Sequence, residues 1–436
     1  MPTSGGGEQP QRRAPGMISR HGRALAEIAG VSIVGIVATT AFQLITIRGL
    51  GPASYSLLAA ALALINVAAI GSSALRNSVA VTTAEALHAP RSIPGDRVRR
   101  VDGALVEALV LGGIGTLGVF ALSSTLAAPG ATGVLTVVLT AAAMIPNFLF
   151  ALAQGRLQGA GDSRSVVWWS TGAQVAQAVL ALIAMLAHAG SAAILAILVL
   201  TALTGAIGAG AVARRRSLAV GRSPFTMQST VVLLLTVGFA WLTNADVVLV
   251  RAGTPEELAG AYAAAAVLVK TTLIIPATFS LYLLPRFVRS KGNAALTNLG
   301  VTVILGVTLL TGVAMFLLVV LFGPWIVGLL FGSHYAATAQ IVVGFSLAWI
   351  PWALAQGVLV RITAAASKAA LAVFLLAAVA QWLVASATLP DVDAWLVGNG
   401  LIGLVTFLAL YGIHWALLLR SRRTGRAAVV EEQPAP

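Results

Sequence analysis

The stretch ARRRSLAVGRS at residues 213–223 packs four arginines into eleven positions near the middle of the chain. On either side of it the sequence reads as six apolar runs. Each is about 20–27 residues long, enough to cross a ~30 Å hydrocarbon core at 1.5 Å rise per residue. The first run covers 25–47 and the last 394–418, so the reading is an all-α integral membrane protein with about twelve transmembrane helices. It divides into a disordered cytoplasmic tail (1–24), a first lobe of six helices (25–213), a basic cytoplasmic linker (214–226), a second lobe of six helices (227–418) and a cytoplasmic tail (419–436).

Composition agrees with this reading. Of the 436 residues 58% are hydrophobic and 9% charged, with a mean hydropathy of +0.93, whereas a soluble domain carries roughly a quarter charged residues. The net charge of +13 sits in short clusters between apolar runs and forms no basic patch with interleaved aromatics, which argues against nucleic acid as a partner. Of the 27 lysines and arginines, 23 fall in the tails and in alternate connections. Arg48 and Arg251 occupy the opposite side, and Arg76 and Lys270 lie within spans. The positive-inside rule then places both termini in the cytoplasm. Lysine is rare beside arginine, and alanine, glycine, valine and leucine abound, which suggests a GC-rich, bacterial genome and hence a bacterial cytoplasmic membrane. No cleavable leader is recognised, and the first apolar run reads as a retained helix.

Several chemistries have no support. There is no cysteine, and the five histidines are scattered without metal-ligand spacing. No phosphate-binding G-x-x-x-x-G-K-[ST] loop occurs. No cofactor and no metal are expected. The short outer connections offer only Glu256, Glu257, Asp391 and Asp393 as acids, too little for a glycan polymerase working at that face. A membrane-embedded transferase would need a constellation of acids, bases or metal ligands at one interface, and none is apparent.

The two halves repeat each other. RGLGP at 48–52 and RAGTP at 251–255 each follow the first span of a half, and each leads through a tyrosine, Tyr55 or Tyr262, into an alanine-rich helix. Two matching hairpins separated by an even number of spans share one orientation, so the repeat axis runs along the membrane normal.

FQLITIRGLGPASYSLLAAALALI (42–65), LTNADVVLVRAGTPEELAGAYAAAAVLVK (242–270) and LLFGSHYAATAQIVV (329–343) resemble the polysaccharide flippases of the multidrug/oligosaccharidyl-lipid/polysaccharide exporter superfamily. The resemblance implies two six-helix lobes whose first and second helices line a central cavity. It also implies transfer of a lipid-linked oligosaccharide on an undecaprenyl-pyrophosphate carrier from the inner to the outer leaflet by alternating access. Membrane lipids and glycan polymerase or ligase machinery would be the partners. The two additional helices of peptidoglycan-precursor flippases are lacking, which disfavours a lipid II role. A multidrug or cation antiporter of the same superfamily is the alternative.

Lys270 stands about twelve residues into a span read as 259–285, some 18 Å from its outer end, where a charge costs ~2.5–3.5 kcal/mol on insertion scales. It either faces a wet cavity and attracts the pyrophosphate of the substrate, or pairs with a neighbouring helix; the resemblance favours the cavity. On that reading Lys270→Ala leaves insertion intact and slows translocation, with Lys270→Arg better tolerated. Arg76, on the equivalent helix of the first half, is a second phosphate ligand or an anchor at the inner headgroups. Asp246, with Asn244 two positions before it, pairs with Lys270 or Arg251 or binds a proton or sodium ion. The ion pair is favoured, although counting along straight helices leaves a depth mismatch with Lys270 of roughly 10 Å. Arg48 and Arg251 are the outer cations available for pairing or coupling. Gln43 and Asn66 are assigned to the cavity with Asn244, while Asn77, Asn147, Gln174, Gln177 and Gln356 serve equally to join helices at ~0.6 kcal/mol apiece. Pro146, Pro276 and Pro351 read as kinks. Trp168 and Trp169 read as interface anchors, and Trp349 and Trp352 as sugar platforms or packing.

Overall fold

The computed structural model describes residues 17–88, 102–126, 131–215, 227–273 and 294–431. Among them it is all helix. In chain order the elements are α1 (Met17–His88), α2 (Gly103–Ala121), the single turn α3 (Ser123–Leu126), α4 (Ala131–Gly159), α5 (Ser163–Leu186) and α6 (Ser191–Arg215). There follow α7 (Met227–Leu242), α8 (Ala245–Gly253), α9 (Glu256–Lys270), α10 (Ala294–Phe331), α11 (Ala336–Ala364), α12 (Lys368–Thr388) and α13 (Val392–Glu431). Helix α1 is two spans meeting at Gly51, whose φ of 70° and ψ of 166° break the rod and place Pro52 at the start of the second arm. A side chain at that φ would be strained, which is why glycine stands there. Six passes thus precede Arg215. In the second half α7 and α8 together make one pass, α9 begins the next, and α10 to α13 supply four more, giving two six-helix lobes.

Four sequence expectations are corrected or bounded here. Helix α1 begins at Met17, inside the stretch read as a disordered tail, and α13 continues to Glu431, past the end expected at 418. The run read as one span over 227–250 is broken at Thr243 and Asn244. Pro146 and Pro351 lie within α4 and α11, which remain helical through them. Pro276, the linker beyond Arg215, the basic residues Arg91, Arg97, Arg99, Arg100, Arg286, Arg289 and Lys291, and residues 1–16 lie outside the described residues.

The lobes meet along the second arm of α1, which packs on α7 as far down as Gly71 and Val237, and most closely at the end of the bundle that carries the Gly51 kink. There the second arm of α1 (Ala59, Ala60, Ala61, Ala63) and α9 (Ala261, Ala263 to Ala266) bury their alanine-rich faces. Small residues let helix backbones approach closely where lipid gives no hydrophobic drive. The approach is closest at Gly260, where an added Cβ would lie 1.9 Å from the Pro52 carbonyl oxygen. Three hydrogen bonds cross or brace this seam. Tyr335 Oη donates to Ile47 O (2.8 Å), Arg48 Nη2 to Leu329 O (2.5 Å) and Thr338 Oγ1 to Ala261 O (3.1 Å).

Candidate functional site

Two polar arrangements stand out, one in each lobe. In the second lobe they begin with the break between α7 and α8. A break inside a membrane frees carbonyls that must find donors, and here each one does. Thr243 Oγ1 returns to Phe239 O (2.9 Å) and Asn244 Nδ2 to Ala240 O (2.8 Å). The Asn244 backbone N–H donates to Trp241 O (3.0 Å). Leu242 O accepts from Gln381 Nε2 of α12 (2.9 Å), and Thr243 O accepts from Lys270 Nζ of α9 (2.7 Å).

Lys270 is therefore a cap for a helix break, and its charge is met at the same place. Its Nζ also donates to Asp246 Oδ1 at 2.7 Å and lies 4.6 Å from the centre of the Trp349 ring. The other oxygen, Asp246 Oδ2, accepts from Tyr262 Oη (3.2 Å), which in turn accepts from Trp395 Nε1 of α13 (3.1 Å). Asp246, Tyr262, Trp349 and Trp395 are all fully or nearly fully buried. The depth mismatch expected from the sequence closes for a geometric reason. Helical side chains lean toward the N-terminus of their own helix. Because α8 and α9 run in opposite directions, Asp246 leans deeper while Lys270 leans back to meet it.

Of the cations considered for Asp246, the structure joins it to Lys270; Arg251 pairs instead with Glu256 (2.7 Å). Asn244 gives its amide back to α7, at Ala240 O. Trp349 packs on Lys270 and Phe345, and Trp352 against Phe239 with its Nε1 donating to Asn399 O (3.1 Å). Removing the Gln381 amide with Gln381→Leu would orphan Leu242 O and is expected to cost about 1–3 kcal/mol, readable as a lowered thermal midpoint in detergent.

The first lobe holds the cavity. About 420 Å³ opens between the first arm of α1, its second arm, the end of α4 and one face of α5; Arg76, Ser32, Gln158, Ser170, Thr171 and Gln174 are among the residues that line it. Helix α4 reaches the second arm closely because Gly155 and Gly159 face it: a Cβ at either would lie 2.6 Å from Arg76 O or 2.4 Å from Ala80 O. That contact sets Gln154 beside Arg76. Arg76 Nη1 donates to Gln154 Oε1 at 3.5 Å, a long bond, and Gln154 Nε2 donates to Ser170 Oγ at 2.8 Å. The buried Nε of Arg76 has no acceptor, and among the described residues no carboxylate lies within ion-pair distance of this guanidinium.

Arg76 thus lines the cavity and Lys270 does not. Gln43 is partly buried on the first arm. Asn66 is exposed on the second arm, on a stripe with Ile70, Asn77 and Val81. Arg48 braces the lobe seam. Sequence reasoning passed over Gln154, Gln158 and Ser170 and left Gln174 as a helix joiner. One signal was present: the pentapeptide ALAQG occurs at both 151–155 and 353–357, and its glutamine in the first copy is Gln154.

No protein-family model matches this sequence, and a search of curated proteins finds no relative. Solved structures do match. An inward-facing multidrug resistance MATE family transporter of the MOP superfamily superposes with a TM-score of 0.63 at 13% identity, covering 90% of this chain and 99% of that one. The lipid II flippase MurJ in an inward closed conformation gives 0.62 at 10% identity, with 93% of each chain covered. A MOP superfamily transporter from Pyrococcus furiosus, described by a reverse polarity of its binding pocket, gives 0.51 at 16% identity over 90% of this chain and 96% of that one. The class defined is a twelve-helix, two-lobe membrane protein. Its fold is that of the MOP superfamily transporters.

Proposed function

We propose that this protein is a flippase that carries a lipid-linked oligosaccharide, on an undecaprenyl-pyrophosphate carrier, from the inner to the outer leaflet of a bacterial cytoplasmic membrane by alternating access. The observation that carries the reading is the Arg76 cavity. It offers a guanidinium with no carboxylate at ion-pair distance among the described residues, surrounded by amides and hydroxyls. A guanidinium binds phosphate oxygens with paired hydrogen bonds, and the amides and hydroxyls suit sugar hydroxyls. Arg76 lies about 37 Å along the second arm from Gly51, at the level of the headgroups on the far side. With both termini cytoplasmic, as the distribution of basic residues supports, that side is the inner leaflet, where such a lipid would load. Asn66 and Gln43 extend the polar path toward the other end. Lys270, held by Asp246 and Thr243 O, is not part of this path.

The test is flipping of a fluorescent undecaprenyl-pyrophosphoryl sugar in proteoliposomes. Losing charge-assisted hydrogen bonds of about 1.5–3 kcal/mol, Arg76→Ala should flip roughly 10- to 100-fold more slowly than the natural protein, with Arg76→Lys between them. Equal rates in a well-folded Arg76→Ala would remove Arg76 from the site. If the natural protein moved none of these lipids and extruded a cationic dye, the multidrug antiporter reading would replace this one.

A further inference from the structure

A second cavity, of about 850 Å³, has no part in the site above. It is a groove between α5 and α6, with Trp168, Trp169, Gly172, Ala173, Ala176 and Gly205 among its lining residues. Its position relative to the Arg76 cavity is specific. Ser163, Val166, Val167, Ser170, Thr171 and Gln174 of α5 face that cavity, and Ser165, Trp168, Trp169, Gly172, Ala173 and Ala176 face the groove. The two sets are displaced by two positions, about 200° round a helix of 3.6 residues per turn. One helix therefore has a polar chamber on one side and a groove on the other. Both begin at its first turn, where Asp162 belongs to the groove and Ser163 to the chamber.

We infer that α5 separates the two ends of one amphipathic substrate: the polar head occupies the Arg76 chamber, the hydrocarbon tail lies in the α5–α6 groove, and the link between them passes round the first turn of α5. This rests on the headgroup reading above. The chemistry of the groove supports a hydrocarbon occupant. Gly172, Ala173, Ala176 and Gly205 give it a smooth floor, and the Trp169 ring is seated against Gly208, where a Cβ would meet it at 2.0 Å. Its two threonines make no demand on a ligand. Thr201 Oγ1 donates to Ile197 O (2.9 Å) and accepts from Gln177 Nε2 (3.0 Å), and Thr204 Oγ1 donates to Thr201 O (3.1 Å). Of the charged groups at the mouth, Arg164 is matched by Glu27, which accepts from Arg164 Nε (2.8 Å) and Trp168 Nε1 (3.2 Å), and Asp162 Oδ1 accepts the Ser165 N–H (3.1 Å) as the cap of α5. From Asp162 to Ala176 the groove descends about 21 Å, more than half of a ~30 Å hydrocarbon core. The substrate tail is chosen over a bilayer chain because the groove starts on the turn that also opens the head chamber.

The test uses Gly172→Trp, which fills the groove from a position with nothing within 4 Å of an added Cβ. Flipping of an undecaprenyl-pyrophosphoryl sugar is compared with that of the same head on a short, two-isoprene tail. The ratio of long-tail to short-tail rates should fall about tenfold in the variant. An unchanged ratio overturns the tail site while leaving the headgroup reading intact, provided Arg76→Ala still slows both substrates. If Arg76→Ala slows neither, the headgroup reading fails and this inference with it. Should Gly172→Trp not fold, an undecaprenyl-pyrophosphoryl sugar with a diazirine in its tail is photolysed with the natural protein. Label on 162–176 and 201–205 that survives excess phospholipid is expected; label elsewhere, or label displaced by phospholipid, overturns it.

Discussion

Lys270→Ala is expected to destabilise the protein by about 3–5 kcal/mol, because it leaves a buried carboxylate without its partner. Asp246 would keep only the Tyr262 hydroxyl, and Thr243 O would lose its donor in the interior of a membrane protein. The double variant Lys270→Met with Asp246→Leu should regain much of the loss, since a buried pair replaced by apolar groups of similar volume is often neutral. Thermal midpoints of purified protein in detergent give the comparison. A single variant within about 1 kcal/mol of the natural protein would mean that water or another group already serves Asp246. The sequence-based expectation of intact insertion with slowed translocation is revised accordingly: any fall in transport by Lys270→Ala comes with a fall in stability. Lys270→Arg keeps both the charge and the contact with Trp349 and should be the milder change.

Gly260→Ala is the second large effect. The added carbon would lie 1.9 Å from a backbone oxygen of the other lobe, and no side-chain rotation relieves a clash with backbone. The seam between α9 and the α1 kink must open or shift, which biases the lobes away from the arrangement described. Moving a two-state equilibrium from 99:1 to 1:99 takes about 5.5 kcal/mol, a scale that an unrelieved backbone overlap can approach. The chain has no cysteine, so Ser54→Cys and Glu257→Cys, both at exposed positions on this end, can carry the only spin labels. The expected result is a longer label-to-label distance in the Gly260→Ala background. An unchanged distribution would show that the seam yields locally without moving the lobes.

The repeated hairpins and the asymmetry of the arginines made the two-lobe architecture legible, because those signals are local in sequence. Lys270 was equally conspicuous, being a charge in an apolar run. Its partner was harder to read because depth was counted along straight helices, and the break at Thr243 and Asn244 carries neither proline nor glycine to announce it. Those two residues turn their side chains back on Phe239 and Ala240, a choice that the same residues elsewhere make without breaking a helix. The chamber was legible only through Arg76. Gln154 and Ser170 come from two other spans, and each alone is an ordinary polar residue in a membrane helix. Only the close passage of Gly155 and Gly159 across α1 brings them to the arginine.

Among the described residues the chain reverses at the Gly51 end with little connecting polypeptide: a single glycine within α1, residues 187–190 between α5 and α6, Thr254 with Pro255 between α8 and α9, 332–335 between α10 and α11, and 389–391 between α12 and α13. A protein ligand of ordinary size needs some 20–30 residues to hold. None of these turns provides them alone, so an antibody or synthetic binder centred on the seam at that end would grip helix tips of both lobes together. Such reagents would discriminate between arrangements of the lobes and serve as reporters of state, where a binder to a long loop would report presence alone.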